Sequence, residues 1–345
     1  MENQQPGGAA GPQTGRYSHV PVKEENSSEP TKVLELRKEN SWNGKIQQLF
    51  SDMHRLRKLL KLSESVCKVI VKNVIKGTGF VLFGNYILTN AHLFKDYVEG
   101  ETLERGVEVS VDFYFNYDDT ISHRHQVVKS YICPEGDLDY AVLEFNTEGQ
   151  RVSNLKTQTQ QNIKIPPGLL KDFSPVPPSG EAYLIGHPGG EVKKMDPTCI
   201  IEKEKREQAV DDHLHPYKDS PLTLYSIKKV VTYNTFMYHG SSGSPVFDAQ
   251  CKVFGLHTAG FVYGFQKYKE SVIEYAFSLH TILKHFVNML KTKGLEELLK
   301  RFEEAAKGNS DLQEVLKSVS EAQVVKAEPA DVGNLSDSSE PMDTD

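Results

Sequence analysis

Short apolar runs dominate the middle of the chain, each broken by Gly, Asn or Asp. From Val66 onward they read VCKVIV, GTGFVLF, YILTNAH, VEVSVDFYF, QVVKSYI and DYAVLEF. Runs of this length between turn residues predict β-strands, and their repetition predicts a barrel or a sandwich. A polar, Pro-containing stretch at about 146–178 separates this set from a second one: EAYLIGHP, LTLYSIKKVVTY, SPVFD and VFGLHTAG. Two β-units joined by a connection are therefore expected. Inside the second set, residues 191–218 are polar and read as an insertion without regular structure. That length is uncommon in a compact domain unless it serves a function.

The period turns helical on both flanks. Ile46, Leu49, Phe50, Met53, Leu56 and Leu60 recur at helical spacing with Arg and Lys between them, so residues 41–63 are expected to form a docked amphipathic helix. After Glu274, FSLHTILKHFVNMLK predicts a helix closing the second β-unit by about residue 292. LEELLKRFEEAAK predicts a helical extension over 293–320. Residues 1–40, rich in Gly, Pro, Gln, Ser and Glu, lack the apolar surface to offset their ordering entropy and read as a disordered tail. Residues 321–345 carry many acids against Lys326 alone and read as a second, acidic tail. The folded unit is thus expected over 64–292.

Composition narrows the function. The chain has 345 residues, 38% of them apolar, and a net charge of -7, which argues against broad nucleic-acid binding because that needs a basic face. No stretch of about 18 apolar residues offers a membrane span, and the first residues lack the basic and apolar regions of a secretory signal. Cys67, Cys133, Cys199 and Cys251 are widely spaced, with no metal-binding pattern. Four thiols in a reducing compartment, hence an intracellular protein, are the expectation. No metal or other cofactor is expected.

Three local signals follow one another along the chain. TNAH ends an apolar run at His92; Asp139 directly precedes Tyr140-Ala141-Val142-Leu143; and Gly240-Ser241-Ser242-Gly243-Ser244-Pro245 leads into Val246-Phe247. Each alone is unremarkable: a strand-end histidine, a turn carboxylate, a Gly/Ser turn. Together, and in this order, they supply what acyl transfer requires, namely a nucleophile, a base to take its proton and a carboxylate to fix the base's tautomer. Ser242 is the candidate nucleophile, His92 the base and Asp139 the orienting acid. Gly240 permits a turn in which its N–H and that of Ser242 converge on a developing oxyanion. Asp137 competes with Asp139 for the orienting role.

GTGFVLFGNYILTNAH, DLDYAVLEF, EAYLIGHPGG, GSSGSPVF and VFGLHTAG resemble the trypsin-like peptidases of the chymotrypsin/HtrA superfamily. FMYHGSSGSPVFD and GLHTAGFVYGF narrow the resemblance to the vertebrate "family with sequence similarity 111" peptidases, over about 64–292. The resemblance implies an all-β, chymotrypsin-like double β-barrel with a C-terminal helix, and an intracellular serine endopeptidase, nuclear or cytoplasmic, acting on protein or peptide substrates. By the same analogy Phe236, His257 and Gly260 belong to the primary specificity pocket. Phe236 falls near the pocket floor and favours apolar substrate residues, a chymotrypsin-like preference. His257 is open to two readings, a residue that hydrogen-bonds Glu or Gln side chains, as in some relatives, or a core histidine bonded to backbone. Self-cleavage is compatible with these features. A catalytically weak protease fold that binds nuclear protein partners is the alternative. Lys23 and Lys326 each fit the apolar-Lys-x-Glu pattern for SUMO attachment, which makes the tails candidates for SUMO or ubiquitin conjugation.

Overall fold

The structure is a computed structural model, and it describes residues 52–113, 124–133, 138–147, 165–206, 208–209, 230–237, 239–263 and 270–327. Fourteen strands occur in these residues. The first eight are β1 (Val66–Val71), β2 (Val74–Phe83), β3 (Tyr86–Thr89), β4 (Val98–Glu99), β5 (Thr102–Leu103), β6 (Val109–Asp112), β7 (Arg124–Ile132) and β8 (Ala141–Phe145). The remainder are β9 (Gly180–Gly186), β10 (Lys194–Ile201), β11 (Val231–Tyr233), β12 (Pro245–Asp248), β13 (Val253–Tyr263) and β14 (Glu270–Ser278). They close into two six-stranded antiparallel barrels, ordered β1-β2-β3-β8-β7-β6 and β10-β11-β14-β13-β12-β9, while β4 and β5 make a separate hairpin. The expected double β-barrel is the fold. Closure leaves neither barrel with an unpaired strand edge.

Alternation explains each core. Val69, Val81, Ile87, Val111, Leu143 and Phe145 point into the first barrel and are essentially inaccessible. Leu184, Tyr233, Met237, Val246 and Phe254 do the same in the second. Each such side chain contributes roughly 1.5–3 kcal/mol by leaving water. The β1–β2 hairpin turns through Lys72 and Asn73, both at positive φ, a backbone that Asn tolerates better than most residues.

The stretch read as an unstructured insertion needs correction. Its first part is strand β10, in register with β9 from Lys194 opposite Gly186 to Ile200 opposite Gly180. Pro197 and Asp196 hid the strand, since proline donates no ladder hydrogen bond and aspartate disfavours strands. Barrel closure outweighs both. The end of that stretch, beyond 209, lies outside the described residues, as do most of LTLYSIKKVV, residues 1–51 and 328–345, and Asp137.

Helix α1 (Met53–Ser63) is the described part of the expected N-terminal helix. Asp52 caps it by accepting from the N–H groups of His54 and Arg55 at 3.0 and 3.1 Å, and Leu59 is fully buried beneath it. Arg55 reaches the second barrel, donating to Glu181 at 2.5 Å and to the Tyr183 hydroxyl at 2.8 Å. At the other end, α2 (Leu279–Thr292) buries Ile282, Leu283, Phe286, Val287 and Leu290. Helix α3 (Glu296–Ala306) inserts Phe302 edge-on between Phe83 and Phe286. Arg301 on α3 donates to the Tyr86 hydroxyl and to Asn85, tying the helix to the first barrel. Helix α4 (Ser310–Ala327) follows, so the predicted helical extension is two helices, and the second runs through residues 321–327, which the sequence assigns to the disordered acidic tail. No described helix is long and apolar enough to cross a membrane.

Candidate active site

Strand pairing carries two of the candidate residues to one place. Thr89, the last residue of β3, lies opposite Ala141, the first of β8. His92 follows β3 in a short 3-10 turn, Ala91–Phe94, and Asp139 stands just before β8. The carboxylate of Asp139 holds the histidine at two points. Oδ1 accepts the His92 backbone N–H at 2.8 Å, and Oδ2 lies 2.5 Å from the ring Nδ1. A carboxylate can only accept from a neutral imidazole, so the ring proton sits on Nδ1 and the Nε2 lone pair is open. This is the tautomer a general base needs. His92 is 41% exposed at its side chain and Asp139 23%, so the imidazole is open to solvent.

Ser242 comes from the second barrel, in the turn before β12. Its hydroxyl donates to the carbonyl of Thr258 on β13 at 2.9 Å, and no hydrogen bond joins it to His92. Asn90 spans the barrels beside it: its amide donates to the Asp139 carbonyl at 2.8 Å and to the Thr258 hydroxyl at 3.1 Å. Asn90, Thr258 and the acid–base pair thus form one polar seam. Catalytic hydrogen bonds are often made only once substrate is bound, and rotation about one side-chain bond redirects the Ser242 hydroxyl.

The glycines flanking Ser242 are needed for space as well as conformation. Gly240 and Gly243 both have φ of 92°, a region that side chains disfavour. A Cβ on Gly240 would lie 2.7 Å from the His187 carbonyl, and one on Gly243 would collide with the Thr78 carbonyl. Among the described residues, neither the Gly240 nor the Ser242 N–H has a protein acceptor. Two unclaimed amides beside a candidate nucleophile are the makings of an oxyanion hole.

The predicted pocket residues part company. His257 is buried, and both ring nitrogens are engaged: Nε2–H donates to the Met237 carbonyl at 3.0 Å and Nδ1 accepts from the Tyr233 hydroxyl at 2.8 Å. Burial holds its pKa down at about 4 despite the Met237 bond. Of the two readings, the geometry matches the core histidine. Phe236 is 48% exposed, with its N–H held by Asp196 at 3.1 Å, so its ring is not enclosed as a pocket floor. Gly260 faces the Glu274 carboxylate, which occupies the volume a Cβ there would need. Glu274 is 2% exposed; sequence reasoning missed it, because a carboxylate in SVIEYAFS reads as an outward strand position.

His187 in the Gly-His-Pro-Gly-Gly turn is fully buried, with Nδ1 donating to the Glu191 carbonyl at 3.0 Å. Burial lowers its pKa to about 3, and it serves the turn rather than the reaction. No cluster that could hold a metal ion occurs among the described residues, and the four cysteines form no disulfide there. Lys23 lies outside the described residues. The backbone of Lys326 falls in the last turn of α4.

Comparison with known proteins agrees with the fold. The trypsin-like peptidase domain matches residues 77–256, a little over half the chain. Mouse serine protease FAM111A is 27% identical over 295 residues, covering 78% of this chain and 46% of its own length. Human serine protease FAM111B is 30% identical over 269 residues, covering 70% of this chain and 35% of its own. The chain spans less than half the length of these curated relatives. Among solved structures, the HtrA-type protease AlgW in complex with a decapeptide aligns with 68% of this chain and 66% of its own (TM-score 0.44, 14% identity). An inactive form of Rv3671c from Mycobacterium tuberculosis aligns with 64% and 84% (TM-score 0.38, 20% identity). The chain belongs to the trypsin-like peptidase family.

Proposed function

We propose that the chain is a serine endopeptidase working through an acyl-enzyme, with Ser242 as nucleophile, His92 as base and then acid, and Asp139 as the orienting carboxylate. The observation that carries this reading is the two-point grip of Asp139 on His92 beside a serine flanked by two unclaimed amides. In the reaction the Ser242 oxygen bonds to the scissile carbonyl carbon while its proton passes to His92 Nε2. Charge collects on the carbonyl oxygen, where the Gly240 and Ser242 N–H groups stabilise it. His92 then protonates the leaving amine, and water repeats the sequence to release the acid. Removing one oxyanion donor from such a site costs about 10²–10³ in rate.

For the residue preceding the cleaved bond, the reading is an apolar side chain in preference to an acidic one. His257 has no ring nitrogen left for a substrate carboxylate, and Glu274 fills the space beside Gly260. A peptide library digested by wild type and by Ser242→Ala tests both points. Cleavage lost in the variant, after aromatic or Leu residues, is expected. A profile dominated by acidic residues would overturn the specificity, and one dominated by Lys or Arg would transfer the primary role to Glu274.

A second reading is a protease fold that binds nuclear protein partners with little turnover, inside a cell, with Lys23 and Lys326 as acceptors for SUMO or ubiquitin. The donation of the Ser242 hydroxyl to the Thr258 carbonyl, with no hydrogen bond to His92, favours it. Stoichiometric capture of library peptides without cleavage would establish it.

A further inference from the structure

We infer that Thr78 is a positioning residue for the oxyanion hole, its hydroxyl clamping the peptide after Gly240 from across the barrel interface. The inference rests on the peptidase reading above. Thr78 lies on β2 of the first barrel and is fully buried, with every polar atom engaged. Its hydroxyl donates to the Gly240 carbonyl at 2.8 Å and accepts the His187 N–H at 3.0 Å. A hydroxyl has one hydrogen and spare lone pairs, so it can hold both partners at once. Its N–H donates to the Ser242 carbonyl at 2.8 Å, and its own carbonyl accepts from the Thr89 hydroxyl at 2.6 Å.

The remaining carbonyls of the nucleophile turn are fastened too. The His239 carbonyl takes the Gly189 N–H at 2.5 Å, and the Ser241 carbonyl takes the Ser244 N–H at 2.9 Å and hydroxyl at 2.6 Å. A trans peptide is planar, with its N–H opposite its carbonyl. Fixing the carbonyls of His239 and Ser241 from behind therefore aims the N–H groups of Gly240 and Ser242 the other way, toward the reacting centre. The Gly240 carbonyl lies between those two peptides, and Thr78 alone holds it among the described residues. Gly240 has no side chain to restrict it, so without this clamp the peptide after it loses its hydrogen-bonded restraint. The His187–Gly190 turn packs against the same glycine, leaving no room for a Cβ there.

The test compares wild type with Thr78→Val, which keeps the shape but loses the hydroxyl, and with Thr78→Ser, which restores it. Three probes suffice: a Phe-anilide peptide, the matching peptide aldehyde and the matching peptide alcohol. The aldehyde adds to Ser242; the Oγ–C bond forms, the carbonyl π pair moves onto oxygen and the hydroxyl proton goes to His92. The alcohol binds without forming an oxyanion. Thr78→Val is expected to lower kcat about 10–100-fold with KM nearly unchanged, a part of the loss seen when a donor is removed outright. It should weaken aldehyde binding by a similar factor, spare alcohol binding, and be rescued by Thr78→Ser. A kcat within twofold of wild type, or equal weakening of aldehyde and alcohol, would overturn the inference. If the Val variant does not fold, Thr78→Cys, with its weak donor, is read by the same criteria. A wild type that neither cleaves the anilide nor bonds the aldehyde at Ser242, and that also leaves the peptide library uncut, would sink the peptidase reading along with the clamp. An active wild type with an unchanged variant sinks the clamp alone.

Discussion

Asp139→Asn perturbs the site at its best-defined point. Asp139 accepts from the His92 backbone N–H through one oxygen and holds ring Nδ1 through the other. The asparagine amide has one oxygen to offer. If that oxygen keeps the backbone N–H, the NH2 group faces Nδ1, which must then accept and carry no proton. The ring proton moves to Nε2, where it blocks removal of the Ser242 proton. If the amide turns round, its NH2 group opposes the backbone N–H, donor against donor, at 2.8 Å, so the first arrangement wins. The same exchange in a Ser-His-Asp triad costs about 10⁴ in kcat, or about 5.5 kcal/mol of transition-state stabilisation. Fold stability should change little by comparison, since a lost hydrogen bond to a charged acceptor costs about 1.5–3 kcal/mol. Peptide hydrolysis near neutral pH, alongside a thermal melt, separates the two effects. A variant hydrolysing within tenfold of wild type would refute the tautomer argument and the orienting role of Asp139.

Three further outcomes follow from the same contacts. Gly243→Ala places a Cβ against the Thr78 carbonyl at a φ of 92°; strain and overpacking should cost about 3 kcal/mol or more, so Tm should drop by about 6–12 °C, and an unchanged Tm would contradict this geometry. His257 is held neutral, its pKa lowered by burial to about 4 from 6.5, so the unfolded chain binds the proton first on acidification. Its contribution is fully present above about pH 6.5 and lost as pH falls toward 4, about 3 kcal/mol in all. Urea titrations should show His257→Gln with a shallower fall over that window, and parallel slopes would count against it. Arg55→Met removes the ion pair and hydrogen bond to Glu181 and Tyr183; with Glu181 partly solvated, a loss of about 1 kcal/mol is expected from urea unfolding.

Local pattern made much of this molecule legible. The short apolar runs became barrel strands, and Asp139, directly before Tyr140-Ala141-Val142-Leu143, lies against His92. Strand β10 escaped because Pro197 and Asp196 argue against a strand locally, while the pairing that enforces it comes from β9 and β11. Phe236 and His257 show the complementary limit. Chain position located the segment, but exposure of the ring and the engagement of both imidazole nitrogens depend on packing with Asp196, Met237 and Tyr233. Thr78 and Asn90 were silent for the same reason: their partners Gly240 and Thr258 lie 162 and 168 residues away. A buried threonine in GTGF reads only as a strand residue until the second barrel is in place.

The central claim is that His92, Asp139 and Ser242 act together on an acyl carbon. Labelling purified protein with a fluorophosphonate probe, beside Ser242→Ala and His92→Ala, tests it most directly. The account predicts covalent labelling of the wild type at Ser242 and none of either variant. A folded wild type that stays unlabelled, or a His92→Ala variant labelled as fast as wild type, would contradict it.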